Sequence, residues 1–382
     1  MMAKFHDKEF DSETLLKLDI FRGYIRQWLP VFLSKTSYTR VNIYDFFAGP
    51  GHDLRGREGS PLIIIGEVER YLLDPVTPKG EGITMTLYFN DIDHDNMEEL
   101  SAEIRRRQKR GRYDVCFQSK AFADAFAEEL PIMQKQESAN LVILDQCGIK
   151  EINGGIFSQL VHSPTTDILF FISTTAIRRF ISEDVIQRHF PIPADEIRNV
   201  PLYQIHRFIC SYYYEKLIPP GKKYYLAPFS IRKGNQPNIY GIIFGSGSLL
   251  GLEKFLDVCW SIDPVTGEAN YNIDQDTIRE GQLSIFEEEN VIRKQDQFEK
   301  DTEALLASQI TDNRPLYRFC LENGFRPTHL VTILRNLQRS GKLQVTDPKT
   351  GELLRKGTFH ISWEKYAVGH PSALFEYLGE SK

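Results

Sequence analysis

Five short apolar runs, Val41 to Phe47, Thr84 to Phe89, Asp114 to Phe117, Leu141 to Leu144 and Ile168 to Ser173, alternate with stretches of helical periodicity through the first half of the chain. This alternation constrains the fold more than any other feature. Strands joined through helices return parallel, and a parallel sheet needs helices on both faces to bury it. The pattern predicts an α/β, doubly wound sheet. Ahead of it, Leu15, Leu18, Phe21, Ile25, Trp28 and Leu29 recur at three- and four-residue spacing, which predicts an amphipathic helix over 12–35 with Ser12 and Glu13 at its capped start. Two more strands, Tyr224 to Ile231 and Asn238 to Phe244, flank a turn-rich stretch and read as a hairpin at one sheet edge.

Gly251 to Ile262 reads as a last packing helix, and residues 263–300, rich in Asp, Glu, Gln and Asn, read as a connector. Helical stretches Glu303 to Ser308, Leu316 to Asn323 and His329 to Ser340 follow, the last opened by Pro327 and Thr328 and ended by Gly341. Lys342 to Thr346 and Leu353 to Ser362 then read as a hairpin around the turn at 347–351. Together these describe a winged helix. The predicted organisation is a Rossmann-like domain over 1–262, a connector over 263–300 and a winged helix-turn-helix module over 301–382. Five alternating units closed by a hairpin is also the arrangement of class I S-adenosylmethionine-dependent methyltransferases, a fold analogy that says less about function than about architecture.

Composition narrows the function classes. The 382 residues are 41% hydrophobic and 26% charged, an ordinary globular balance. No apolar run approaches the ~20 residues of a membrane helix, and Met1 to Asp11 lacks the apolar core of a secretory signal, so a cytoplasmic location is expected. The five cysteines are scattered and never form a CxxC pair, which points to reduced packed thiols rather than a disulfide framework or zinc site. A net charge of -6 excludes a globally basic nucleic-acid coat and leaves only local basic patches.

The sharpest motif is Asp45, Phe46, Phe47, Ala48, Gly49, Pro50, Gly51, directly after the first strand. Glycines let the backbone turn sharply and approach a ligand, and a helix start there would offer amide donors to an anionic group such as a methionyl carboxylate. The alternative is a connecting turn. Asp91, in the run Asn90 to Asp93 at the end of the second strand, is placed to accept hydrogen bonds from a ribose, a reading that its pairing with the Asp45-to-Gly51 motif favours; the alternative is that Asp91 or Asp93 caps the helix over Asn96 to Arg107. The candidate cofactor residues are therefore Asp45, Phe47, Ala48, Gly49, Gly51 and Asp91. At the end of the fourth strand, Asp145 and Gln146 are candidate catalytic contacts to a target, while Cys147 has no activating neighbour and reads as a packed thiol. The third strand ends Gln118, Ser119, Lys120 and lacks the acid that many such folds place near an adenine. Asp45, Asp91 and Asp145 could also converge on a cation as in a nuclease, a thinner reading because spacing alone shows no geometry.

Two basic clusters stand out. Arg105, Arg106, Arg107, Lys109, Arg110 and Arg112 read better as the solvated end of a helix, whose dipole favours cations, than as a phosphate site. In the C-terminal module, Arg326, Arg335, Arg339 and Lys342 occur with no acid between Arg326 and Ser340, and Lys349, Arg355 and Lys356 follow. They are candidate nucleic-acid contacts from a recognition helix and a wing. The competing reading is a protein-interaction module.

The chain resembles the three-Cys-motif partner proteins of bacteria, phages and mobile elements. The resemblance is carried by Trp28 Leu29 Pro30, the run Tyr44 to Gly51 with Gly59 to Ile63, Asn90 Asp91 Ile92 Asp93, the run Leu144 to Lys150, Phe170 to Ser173 with Arg178 Arg179 Phe180, Gly251 to Leu256, and Gly267 Glu268 Ala269 Asn270. It implies a methyltransferase-type domain followed by a winged helix, acting with a radical-S-adenosylmethionine-like protein that bears three cysteines. It further implies modification of DNA or RNA or a role in phage defence. The expected function is thus an S-adenosylmethionine-dependent, nucleic-acid-modifying protein. A non-catalytic partner that keeps the fold as a nucleic-acid or nucleotide sensor is the alternative.

Overall fold

The computed structural model describes residues 9–34, 37–76, 81–107, 113–145, 154–184, 187, 192–232, 234, 238–271, 273 and 293–379. Its contacts divide the chain into two compact units, one ending at Val258 and one beginning at Cys259. The division falls inside a helix that the sequence pattern reads as a single piece.

The first unit is built on a seven-stranded sheet. Its strands are β1 (Arg40–Asp45), β2 (Thr84–Asn90), β3 (Asp114–Gln118), β4 (Ser138–Leu144), β5 (Thr166–Ile172), β6 (Tyr225–Arg232) and β7 (Ile239–Ser246). They lie in the order β3-β2-β1-β4-β5-β7-β6. The first five are mutually parallel, and β7 runs antiparallel to both β5 and β6. All seven strands fall where the alternation of apolar runs predicts them, with ends shifted by a few residues. The chain is a doubly wound α/β fold in this unit.

The helices α1 (Ser12–Leu33), α2 (Ser60–Leu73), α3 (His94–Arg107), α4 (Phe122–Met133), α5 (Gly154–His162), α6 (Thr174–Phe180), α7 (Ala194–Asn199), α8 (Ile205–Leu217) and α9 (Leu249–Ile262) cover the sheet. Period-two alternation sorts the strands' side chains between two faces. Tyr44, Val142, Leu144, Ile168, Phe170 and Ile172 pack with Phe126 of α4, Phe157 of α5 and Tyr213 of α8. The opposite face meets α1. Tyr24 donates its hydroxyl to Asp167 near the start of β5 at 2.8 Å, and Lys17 lies over Phe171 near its end, so α1 runs antiparallel to β5. The cap of α1 is Asp11 rather than the expected Ser12, because the Asp11 carboxylate accepts both the amide and the hydroxyl of Thr14, at 3.0 and 2.7 Å.

The second unit contains α10 (Lys294–Ser308), α11 (Asn313–Glu322), α12 (Pro327–Arg339) and the short α13 (Trp363–Ala367), with strands β8 (Thr311–Asp312), β9 (Leu343–Thr346) and β10 (Leu374–Tyr377) in the order β8-β10-β9. Its core joins Phe298 and Leu306 of α10, Leu316 and Leu321 of α11, and Leu330 and Leu334 of α12. Two expectations are corrected here. Helix α10 begins at Lys294, within the stretch read as a connector, because its polar residues face solvent while Phe298 and Thr302 are buried. The partner of β9 is β10, not Leu353 to Ser362; that segment adds one bridge, Thr346 to Leu353, before α13 intervenes. After α9, Gly267 at φ +63° passes Trp260 so closely that a Cβ there would sit 2.5 Å from the indole, which explains a glycine at this point of the Gly267-to-Asn270 motif.

Candidate functional site

In an open parallel sheet, a ligand crevice forms at the carboxyl ends of the strands where the strand order reverses. In this sheet that point lies between β1 and β4. Asp45 ends β1 and Asp145 follows β4, one on each side of the reversal, and strand alternation places Asp45 on the face toward α1. Lys17 reaches this edge from α1. Its ammonium is 2.5 Å from Asp145 Oδ2 and 4.6 Å from the ring centre of Phe171. Phe171 stacks on Tyr240 of β7 with ring centres 5.4 Å apart, and both rings are half-buried. Asp45, Asp145, Phe171 and Tyr240 thus share one face at the carboxyl end of the sheet, with Asp145 level with Phe171, Asp45 two positions short of them and Tyr240 two positions beyond.

Asp45 is fully buried. Its Oδ1 accepts the Phe47 amide at 3.2 Å, and its Oδ2 has no hydrogen-bond partner among the described residues. Burial pushes its carboxyl up to about 7; the charge of Asp145 acts in the same sense, opposed by the Ser60 hydroxyl, the Phe47 amide and Lys17. The sequence motif selects Asp45 and Asp145. It does not select Lys17, whose helix reads as packing alone, nor Phe171 and Tyr240, which read as strand interior.

The loop after β1 differs from its expected form. Helix α2 starts at Ser60, with Pro61 in its first turn, rather than directly after Gly51. Three amides at the start of the loop are engaged within the protein: Phe47 donates to Asp45, Ala48 to the Asn90 carbonyl at 2.9 Å, and Gly49 to Asp91 Oδ2 at 3.0 Å. Gly51 sits at φ +88°, where a Cβ would meet Leu100 at 2.6 Å, so only glycine closes this turn against α3. The Phe47 ring stacks on Phe122, and Ala48 is buried. Asp53 then anchors the loop. It accepts the amides of Phe10, Arg55 and Arg57 and the Arg57 guanidinium at 2.7–2.9 Å, which against its burial hold its carboxyl down at about 2.

Asp91 stands between the glycine loop and the start of α3. Besides Gly49, it accepts the Asp93 amide at 2.8 Å and the Asn96 side chain at 3.4 Å, so it organises the start of α3 while standing beside the glycine loop. Its neighbour Asn90, which the sequence reading leaves without a role, joins three strand ends. The buried amide donates to the carbonyls of Phe46 and Lys120 and accepts the Lys120 amide, at 3.1–3.2 Å. Gln146 and Cys147 lie outside the described residues. Among the described residues, no group of three His, Cys, Asp or Glu is placed to hold a metal ion, and Asp91 is bound to the glycine loop rather than joined to Asp45 and Asp145.

In the second unit, α12 presents Thr328, Thr332, Arg335, Asn336 and Arg339 on one exposed face. No described ion pair involves Arg335 or Arg339, and Lys349 is exposed at the turn after β9. Arg326 is different. Its guanidinium lies 5.8 Å from the Trp260 ring centre at the start of α12, and its Nε is buried. Its amide donates to His329 Nδ1 at 3.1 Å, and burial with the charges of Arg326 and Lys294 pulls the His329 imidazole down to about 4. Arg326 therefore packs, while Lys342 is half-buried at the start of β9.

No protein-family model matches the chain, and no curated protein matches it. Among solved structures, the crystal structure of P. horikoshii TYW2 in complex with MeSAdo aligns at 9% identity and a TM-score of 0.27, over 62% of this chain and 64% of that one. The chain thus spans less than two thirds of that structure's length. No helix among the described residues is long and apolar enough to cross a membrane.

Proposed function

We infer that the first unit binds S-adenosylmethionine and modifies nucleic acid, in the manner of a methyltransferase, and that the second unit is a winged helix that holds the nucleic acid. The observation that carries this reading is the placement of Asp45 and Asp145 on either side of the reversal point of a 3-2-1-4-5-7-6 sheet. Of the expected cofactor residues, Asp91 and the loop from Phe47 to Gly51 would hold the cofactor, which supplies an electrophilic methyl group when bound, while Asp45 would turn its unpartnered Oδ2 to the target. The residues fit this only in part. Asp91 stands at the strand end suited to a ribose; its Oδ1 takes the Asp93 amide and the Asn96 carboxamide, and its Oδ2 keeps a lone pair beyond the Gly49 amide. The Gly49 amide, by contrast, is already engaged.

Asp145 and Gln146 face the target in this reading. In this reading β8, α11, α12, β9 and β10 make up the winged helix, with Arg335, Arg339 and Lys349 contacting the nucleic-acid backbone. The partner is a three-cysteine, radical-S-adenosylmethionine-like protein, and the setting is bacterial phage defence in the cytoplasm; both rest on the family resemblance. One observation favours the alternative of a non-catalytic partner subunit: the amides of Phe47, Ala48 and Gly49 are all engaged by the protein itself. Calorimetric titration with S-adenosylmethionine separates the two. Stoichiometric binding that Asp91→Ala abolishes is the expected result, and absence of binding at high ligand concentration transfers the function to the partner reading.

A further inference from the structure

At the carboxyl edge of the first unit's sheet, two buried groups have complementary open valences. The Lys17 ammonium has three N–H donors. Among the described residues it has one hydrogen-bond acceptor, Asp145, while its side chain is only 9% exposed. The Asp45 carboxylate is fully buried, and its Oδ2 accepts no hydrogen bond. Lys17 is bound to Asp145, which follows β4, and β4 pairs directly with β1, whose last residue is Asp45, so both groups stand at the same end of neighbouring strands. A single ligand edge that both accepts from Lys17 and donates to Asp45 would satisfy them together. The paired rings of Phe171 and Tyr240 lie on the same face of the sheet, and Phe171 is in contact with Lys17. Adjacent donor and acceptor atoms on a flat ring beside aromatic faces describe a nucleobase, whose edge carries such pairs and whose face stacks on aromatic side chains.

We propose that Lys17, Asp45, Phe171 and Tyr240 form the subsite for an unstacked nucleobase, with Lys17 and Asp45 reading its hydrogen-bonding edge. This rests on the nucleic-acid-modifying reading and names its substrate group. Lys17 serves two partners in this arrangement: it holds Asp145 in place and offers its remaining donors to the base. An enzyme that acts on a base inside a duplex must first extrude it, and an aromatic wall beside a polar edge is what receives it.

The test uses the full chain saturated with S-adenosylhomocysteine, so that the cofactor pocket does not itself capture a base. The probes are a fluorescent single-stranded oligonucleotide and a matched strand of abasic sites, compared as a ratio of affinities. Backbone contacts from α12 contribute equally to both strands and cancel. The intact strand is expected to bind about tenfold tighter, the scale of one stacked base. Lys17→Met and Phe171→Ala are each expected to cut that ratio at least threefold, with S-adenosylhomocysteine affinity unchanged. Lys17→Arg, which keeps the ion pair with Asp145, guards against misfolding; it should retain the backbone term and lose part of the ratio. A wild-type ratio near one, or a ratio unmoved in folded Lys17→Met and Phe171→Ala proteins, overturns the subsite. Failure to bind S-adenosylhomocysteine strikes the cofactor reading instead, and the ratio still decides the subsite.

Discussion

The two arginine-rich helices of this chain look alike in sequence and differ in structure. At the end of α3, Arg106 and Arg107 both pair with Glu103, three and four residues earlier, and Arg107 also meets Glu58 at 2.9 Å. On α12, Arg335 and Arg339 form no ion pair among the described residues, and no acid occurs between Arg326 and Ser340. The same contrast divides the buried acids. Glu67 is held by Arg26 and Arg70 at 2.7 Å, which keep its carboxyl below the usual range despite burial, and Asp53 is held at about 2. Asp45 and Asp167, which face no such guanidinium, are pushed up to about 7 and about 6. Compensated charge here builds local structure. Uncompensated charge marks places where binding or titration is still to be satisfied.

The largest effect is expected where compensation is most complete. Asp53→Ala strands three amides and a guanidinium, and should cost on the order of 3 kcal/mol of stability in chemical denaturation. A loss below about 1 kcal/mol would show that the loop after β1 is held by other means. Asp167 tests the opposite case. Its folded carboxyl titrates above its unfolded value, chiefly through burial, so stability from this group is full below about pH 4 and is lost as pH rises through 6. Asp167→Asn should remove that loss, worth about 3 kcal/mol at neutral pH. A stability difference between the two proteins that does not change between pH 4 and 7 would contradict the assignment.

The remaining predictions compare the two helices directly. Arg335→Ala with Arg339→Ala should weaken nucleic-acid binding about tenfold and lower the salt slope by about two, one for each lost phosphate contact. An unchanged slope would make α12 a protein-binding face. Arg106→Ala with Arg107→Ala should change nucleic-acid affinity less than about twofold and cost about 0.5 kcal/mol, as exposed ion pairs do. If the α3 pair matters as much as the α12 pair, the division between compensated and uncompensated charge fails.

Much of the architecture was legible because it depends on periodicity. Each strand run fixed its own position, and the hairpin signal at 232–237 placed the antiparallel β7 and β6. The turn after β1 was legible in the same way at Asp45, Gly51 and Asp91, where residue type and backbone geometry are tied. Lys17 was not, because its role arises from α1 crossing the ends of β4 and β5, a tertiary relation with no local trace. The strand β10 was missed for a related reason: α13 intervenes between it and β9, and short-range pattern favoured the nearer segment at 353–362. The cap at Asp11 instead of Ser12 shows how two adjacent capping residues leave the choice to side-chain direction.

Asn90 has a consequence for how a ligand would be sensed. One carboxamide holds the end of β1 and the turn after β3, thirty residues further along the chain, and its own carbonyl holds Ala48. Loosening or tightening of the glycine loop is therefore felt at the Lys120 amide. Hydrogen exchange at that single proton becomes a distant reporter of events at Gly49, readable without any label at the site. An aspartate in this position could not donate and a leucine could do neither, so the three strand ends would drift as separate parts.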